Sequence, residues 1–211
     1  MKKLLFLILS LAVLFGLFTS FGDSPRFFRL LLLPQSPATA SLEGLSYKML
    51  ESPSGDAISI GYDELGVPHI FAKTDIDAAY ATGFSHARDR LFQLEMLRRT
   101  VMGRLTEVAG ERAFESDRFW RKFQFTESAK KTTEEIRNTH PMEYEIYRAY
   151  ANGVNDYISQ MNNAEKPVEF FLLDFEPSQF EPWHCMLLIK YMSHTLTYRE
   201  DDLKFSNVYN L

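Results

Sequence analysis

Five histidines, His69, His86, His140, His184 and His194, are the residues of this 211-residue chain best suited to ligate a metal or move a proton. Their spacing supports neither role. A helical zinc pair reads HExxH, with both rings on one face, and no such stretch occurs. All five are therefore expected to serve structure. A serine hydrolase elbow would read GxSxG, and that pattern is absent as well. Cys185 is the lone cysteine, which excludes an intrachain disulfide and any CxxC redox or zinc motif. The acidic pairs Glu134 with Glu135 and Asp201 with Asp202 read as solvated helix faces. Ser41 follows Ala38-Thr39-Ala40, and a cut there would give it a free α-amine able to act as base for its own hydroxyl. Its distance from the apolar N-terminal run argues against that cut.

Arginines crowd one region, at Arg88, Arg90, Arg98, Arg99 and Arg104, and raise the question of nucleic acid. Asp89, Glu95 and Glu107 interleave with them at spacings that allow ion pairs along a helix. The whole chain carries 23 basic against 28 acidic residues, a formal charge of −5, so no global positive field exists to hold a phosphate backbone. Nucleic acid is excluded as a partner on these grounds. An apolar fraction of 45% is ample for a core, and the length suits one domain or part of a larger one.

The elements that must position these groups follow from periodicity. Alternation predicts strands at Leu45 to Glu51, Ala57 to Asp63 and Val67 to Ala72, joined by turns at "SPSGD" and Gly66, hence a small antiparallel unit. From Asp75 the period becomes helical, with Thr74 or Asp75 as cap and an apolar stripe at Leu91, Leu94, Leu97, Val101 and Leu105. Gly103 and Gly110 break that helix into segments. Another helix is expected after Pro141, with Tyr144, Tyr147, Ala151, Val154 and Ile158 on one face. A short helical piece covers Pro167 to Leu173, and a last helix runs from Trp183 to about Tyr198, opened by Pro182. No internal repeat is apparent.

The N-terminus addresses the chain to export. Lys2 and Lys3 precede the apolar run Leu4 to Phe18, and Ser20-Phe21-Gly22 places small residues where signal peptidase reads them. The run nearly reaches the roughly 18 to 20 residues that span a bilayer, so cleavage and retention as a membrane anchor both stand. Phe27 to Leu33 is too short to span and is suited to lying at a membrane surface. Residues 1–22 are thus read as signal peptide or anchor, 23–43 as a linker and 44–211 as the folded region. The expected location is periplasmic or exported, with an inner-membrane tether if the anchor is kept.

One long stretch carries a family resemblance. "YDELGVPHIFAKTDIDAAYATGFSHARDRLFQLEMLRRTVMGRLTEVAG" (Tyr62 to Gly110) resembles the opening of the α subunit in the penicillin amidase (penicillin acylase) family. The likeness continues in order through "DRFWR" (Asp117 to Arg121), "AYANGVNDYI" (Ala149 to Ile158), "PVEFFLL" (Pro167 to Leu173), "EPSQFEPW" (Glu176 to Trp183) and "LTYREDDLKFSN" (Leu196 to Asn207). It spans roughly residues 43 to 211. The resemblance implies an α+β fold: an N-terminal nucleophile hydrolase αββα sandwich, of which this chain is the mostly helical α-chain part with a short N-terminal antiparallel strand unit. It also implies a companion β chain whose first residue, a serine, attacks an acyl amide with its own α-amine as base. No catalytic residue is then expected here, and no cofactor.

By the same resemblance the last helix contributes to the acyl pocket. Alignment on Asn207 places the pocket positions at His194 and Tyr198, four apart, and at Thr197. Tyr198 keeps an aromatic wall. His194 departs from the family's apolar residue, and Thr197 stands where well-known members carry an arginine. A calcium ligand of some members aligns with Lys204, which argues against that metal; Asp201 or Asp202 would substitute only after a local shift. The expected function is the α part of an amidohydrolase acting on linear acyl amides, inactive by itself. The alternative is a noncatalytic remnant or binding module derived from such an enzyme.

Overall fold

The computed structural model describes residues 46–51, 55–162 and 165–197. The N-terminal apolar run, the linker, Ser41, Tyr198, Asp201, Asp202, Lys204 and Asn207 lie outside the described residues. Three short strands come first: β1 (Ser46–Glu51), β2 (Ala57–Tyr62) and β3 (Pro68–Phe71), an antiparallel meander in that order. The strands begin or end a residue inside the bounds predicted from alternation. The β2–β3 turn closes on itself, with Asp63 Oδ1 accepting from the N–H groups of Leu65 at 3.0 Å and Val67 at 2.9 Å, while Gly66 takes φ +75°.

Register sorts the sheet into two faces. Leu50 lies opposite Ile58, and Ile60 opposite Ile70; Ile58 and Ile60 are fully buried. The other face carries the row Met49, Ser59 and Phe71, whose outer members are 63% and 60% exposed. Among the described residues, helices therefore cover one face only.

The helices are α1 (Asp75–Met102), α2 (Thr106–Ala109), α3 (Phe114–Arg121), α4 (Phe125–Thr139), α5 (Pro141–Gln160), α6 (Val168–Leu173) and α7 (Pro182–Thr197). Thr74, rather than Asp75, caps α1: its hydroxyl accepts from the Asp77 N–H at 3.1 Å. Gly103, left-handed at φ +66°, ends α1, and Gly110 ends α2, so both expected breaks are present. Arg90 is non-helical and kinks α1 midway. The expected stripe is shifted. Leu91 and Val101 are buried, but between them lie buried Glu95 and Arg98, whereas Leu94 and Leu97 are only half-buried. Residues 125–139 form a helix that the sequence reading did not delimit, and Glu134 and Glu135 sit exposed on it as expected.

The crossing of α1 and α5 organises the core, and here, against the expectation of no internal repeat, two short stretches echo each other. Ala79-Tyr80-Ala81-Thr82-Gly83 and Ala149-Tyr150-Ala151-Asn152-Gly153 differ at one residue and pack against each other. A Cβ on Gly83 would lie 2.1 Å from the Tyr150 carbonyl oxygen, and one on Gly153 would lie 2.0 Å from that of Tyr80. Each phenol then reaches the residue six positions past the other tyrosine: Tyr80 donates to Asp156 at 2.8 Å, and Tyr150 meets His86 Nδ1 at 3.0 Å. The two helices thus cross with local two-fold character. Of the face expected on α5, Ala151 and Val154 are buried, and Tyr144, Tyr147 and Ile158 are partly so; Ala149, Gly153 and Tyr157 complete the buried seam.

One apolar core joins the sheet to α1, α5 and α6, with Phe84, Phe170, Ile58 and Ile60 fully buried. A smaller one links α1, α4 and α7 through Val101, Ala129, Met186 and Leu187. Between them the segment before α7 is pinned by Asn155, whose amide donates to the Phe180 carbonyl at 2.8 Å and accepts from its N–H at 2.7 Å.

Candidate functional site

α7 carries two of the three predicted site residues. His194, near its C-terminal end, sits among aromatic rings from α3 and the α3–α4 turn: Phe123 at 4.4 Å between centroids, Trp120 at 5.6 Å, Phe125 at 5.7 Å and Phe119 at 6.5 Å. Gln124, left-handed at φ +52°, makes the sharp turn that brings Phe123 and Phe125 into stacked contact at 5.3 Å. Tyr191, one turn earlier on α7, meets Trp120 at 5.2 Å. His194 is thus the polar member of an aromatic cluster. Thr197 is exposed, and its hydroxyl donates back to the Ser193 carbonyl at 2.6 Å. Tyr198 lies outside the described residues.

The remaining histidines have structural partners. His69 Nε2 meets Asp63 Oδ2 at 3.2 Å, and His184 Nδ1 accepts the Glu181 N–H at 2.8 Å. His140 Nδ1 is 2.7 Å from the Thr139 hydroxyl, a contact between neighbours at an exposed helix junction, where that hydroxyl also reaches the Glu135 carbonyl at 2.7 Å. Among the described residues this is the closest approach to a hydroxyl–imidazole pair, and it has neither burial nor an orienting carboxylate. Cys185 is no better as a nucleophile, since burial pushes its thiol up to about 12. Ser85 Oγ is buried with no partner, and so without a base, among the described residues. No group of three or more metal-ligating side chains gathers among the described residues, and no helix there is long and apolar enough to cross a membrane.

A second polar assembly forms where α1 meets the start of α7. Glu95, 4% exposed, accepts from Arg98, from Arg99 Nε at 2.7 Å and from the Ser178 hydroxyl at 3.0 Å. Glu107 extends the chain, pairing with Arg99 and Arg104 at 2.7 Å each. Arg98 also donates to the Gln179 carbonyl at 2.8 Å. Next to it burial, helped by the positive charges of Arg98, Lys130 and Arg104, depresses His184 to about 3, so this imidazole is neutral. Asp117 performs a comparable bracing job nearby: its carboxylate accepts from the Leu105 N–H at 2.8 Å and the Thr106 N–H at 2.9 Å, holding the start of α2.

This geometry is a scaffold of braced helices around an aromatic cluster, with the reacting groups of a hydrolase unpaired or absent among the described residues. A family model supplies the context. The penicillin amidase model matches residues 57–209, from β2 to beyond α7. The chain belongs to the penicillin amidase family. Among other members, the penicillin acylase 2 proenzyme of Pseudomonas sp. (strain SE83) is 34% identical over 158 residues, covering 75% of this chain and 19% of that protein. The acyl-homoserine lactone acylase QuiP of Pseudomonas aeruginosa is 30% identical over 164 residues, 78% of this chain and 18% of that protein. Among solved structures, thermostable penicillin G acylase from Alcaligenes faecalis superimposes with a TM-score of 0.59 at 26% identity, over 76% of this chain and 80% of that one. The chain spans about a fifth of the length of the curated relatives it matches.

Within this penicillin amidase segment, sequence reasoning found the helix that carries His194 and Thr197 but missed its surroundings. The signal for the aromatic cluster was present in "FWRKFQF" (Phe119 to Phe125), four rings in seven residues. The ion-pair spacing around Glu95 and Glu107 was read correctly. Its burial was not, because charged residues at helical spacing are ordinarily solvated.

Proposed function

We propose that this chain is the α-chain part of an acylase that hydrolyses the C–N bond of an acyl amide, with the attacking serine supplied by the first residue of a companion β chain. In this reading the serine hydroxyl adds to the amide carbonyl, its own α-amine takes the proton, and donors of the companion chain stabilise the oxyanion. No cofactor takes part. The observation that carries the reading is membership of the penicillin amidase family over residues 57–209 in a chain whose closest described hydroxyl–imidazole contact, Thr139 with His140, is exposed and has no orienting carboxylate. The bare sheet face, with Met49 and Phe71 exposed, supports a second sheet stacking there to complete an αββα sandwich. Relatives named for penicillins and for acyl-homoserine lactones support small acyl amides as the substrate class.

His194 and Tyr198 serve in this reading as one wall of the acyl pocket, the former held by the Phe123 and Trp120 rings. Thr197 borders the leaving portion of the substrate. The apolar residues 1–22 direct export, either cleaved or kept as a membrane tether. The test is turnover of a chromogenic phenylacetyl or fatty-acyl amide by the purified chain alone and by the chain co-expressed with the polypeptide encoded next to it. Activity is expected only from the second sample. Turnover by the chain alone would refute the division of labour, and inactivity of both would favour a noncatalytic remnant.

A further inference from the structure

A cleft of about 510 Å³ opens between the end of α1, α4 and the first turn of α7, and four cations line it: Arg98, Arg99, Arg104 and Lys130. Their compensation is incomplete. Glu95 and Glu107 are shared among the three guanidinium groups, Glu181 lies on the rim, and three carboxylates against four cations leave one positive charge. Lys130, which is exposed, is placed 5.1 Å above the Trp183 ring rather than in any ion pair formed by the described residues. Arg98 is buried, and its Nε has no acceptor among the described residues. His184 adds a ring to the wall without adding charge. Bracing alone accounts for Glu95, Arg98, Arg99 and Ser178, which interlock. Glu107 ties Arg104 to the same network, but bracing does not account for Lys130 on that cleft, since like charges gathered in a half-desolvated space repel.

We propose that this cleft binds a single carboxylate, gripped at the mouth by Lys130 and Arg104 with Arg99 beneath. A surplus of one positive charge matches a monovalent carboxylate better than a phosphate dianion, and a guanidinium presents the fork that a carboxylate fits. Trp183 and Met102 supply an apolar wall for the carbon that bears it. The carboxylate comes either from a small solute or from an acidic side chain of polypeptide outside the described residues. The inference stands on the cleft alone and does not depend on the acylase reading.

Two measurements on the full chain, in the complex in which it purifies, separate the sources. In the first, sodium propionate is titrated at constant ionic strength while the arginine Nε–H signals are followed by NMR. A saturable shift at Arg98 or Arg99, weakened tenfold or more by Lys130→Met and not reproduced by inorganic phosphate, assigns the site to a solute. In the second, a carbodiimide joins amines to carboxylates in direct contact, and the linked peptides are mapped by mass spectrometry. A cross-link from Lys130 to a carboxylate outside the described residues, without propionate saturation, assigns it to the polypeptide, whereas a cross-link to Glu181 on the rim of the cleft counts against it. Lys130→Met removes the charge while keeping an unbranched side chain of similar length, and an unchanged melting temperature verifies that it folds. Absence of both signals overturns the proposal, as does propionate binding that is indifferent to Lys130→Met and Arg104→Met.

Discussion

The carboxylate of Glu95 is buried with two guanidinium groups and a hydroxyl around it, and that environment decides how much it contributes. Removing one member of a buried ion pair strands the other, so Glu95→Ala is expected to cost about 3–5 kcal/mol, read as a lower denaturation midpoint. Arg104, half exposed beside Glu107, is the internal contrast, and Arg104→Ala should change stability by less than about 1 kcal/mol. His184 predicts a pH effect of definite sign. Its pKa falls from the ordinary 6.5 to about 3 on folding, so between those values the unfolded chain binds the extra proton. Stability from this group is therefore fully present above pH 6.5 and is lost as pH falls toward 3, by up to about 1.4 kcal/mol per pH unit. His184→Asn, which keeps an acceptor for the Glu181 N–H, should flatten that slope in urea titrations at pH 4 to 7. The reason His184 could not be distinguished from the other four histidines in the sequence is that its neighbours Arg98 and Lys130 are remote along the chain.

The crossing of α1 and α5 is set by two glycines that each lie against the other helix's tyrosine carbonyl. Either Gly83→Ala or Gly153→Ala must force the helices apart, because the obstructing atom is backbone and cannot rotate away. A loss of about 2–3 kcal/mol is expected for each, seen as a lower melting temperature, together with weakening of the Tyr80 to Asp156 and Tyr150 to His86 contacts. At the start of α2, Asp117→Ala should cost about 1–2 kcal/mol by removing the acceptor for the Leu105 and Thr106 N–H groups. Element boundaries were largely legible from Thr74, Gly103, Gly110 and Pro182, since caps and breakers act locally. The buried seam of α1 was not legible. Leu94 and Leu97 fit an apolar stripe as well as Glu95 and Arg98 fit a solvated one, and only packing against Gln179 and Ser178 inverts the two.

For the molecule as a whole, the dominant fact is a sheet face that no helix covers among the described residues. Met49 and Phe71 are exposed on a three-stranded sheet whose outer strands, β1 and β3, keep free edges within the described residues. The isolated chain is accordingly expected to be poorly soluble or loosely packed, and co-expression with its proposed companion should restore a cooperative melt. Sedimentation and calorimetry of the chain alone check this; a monodisperse monomer with a sharp transition would contradict it.

Order and type of the elements other than the helix over residues 125–139, the absence of a metal or serine-elbow motif and membership of the family were determined by the sequence itself, because motif order, helix caps and strand alternation are properties of neighbouring residues. Tertiary structure alone decided that Phe119, Trp120, Phe123 and Phe125 close around His194, that two near-identical pentapeptides meet across a helix crossing, and that Arg98, Arg104 and Lys130 share one cleft. These juxtapositions join residues up to 75 positions apart, as between Phe119 and His194, and no local periodicity encodes a contact of that range.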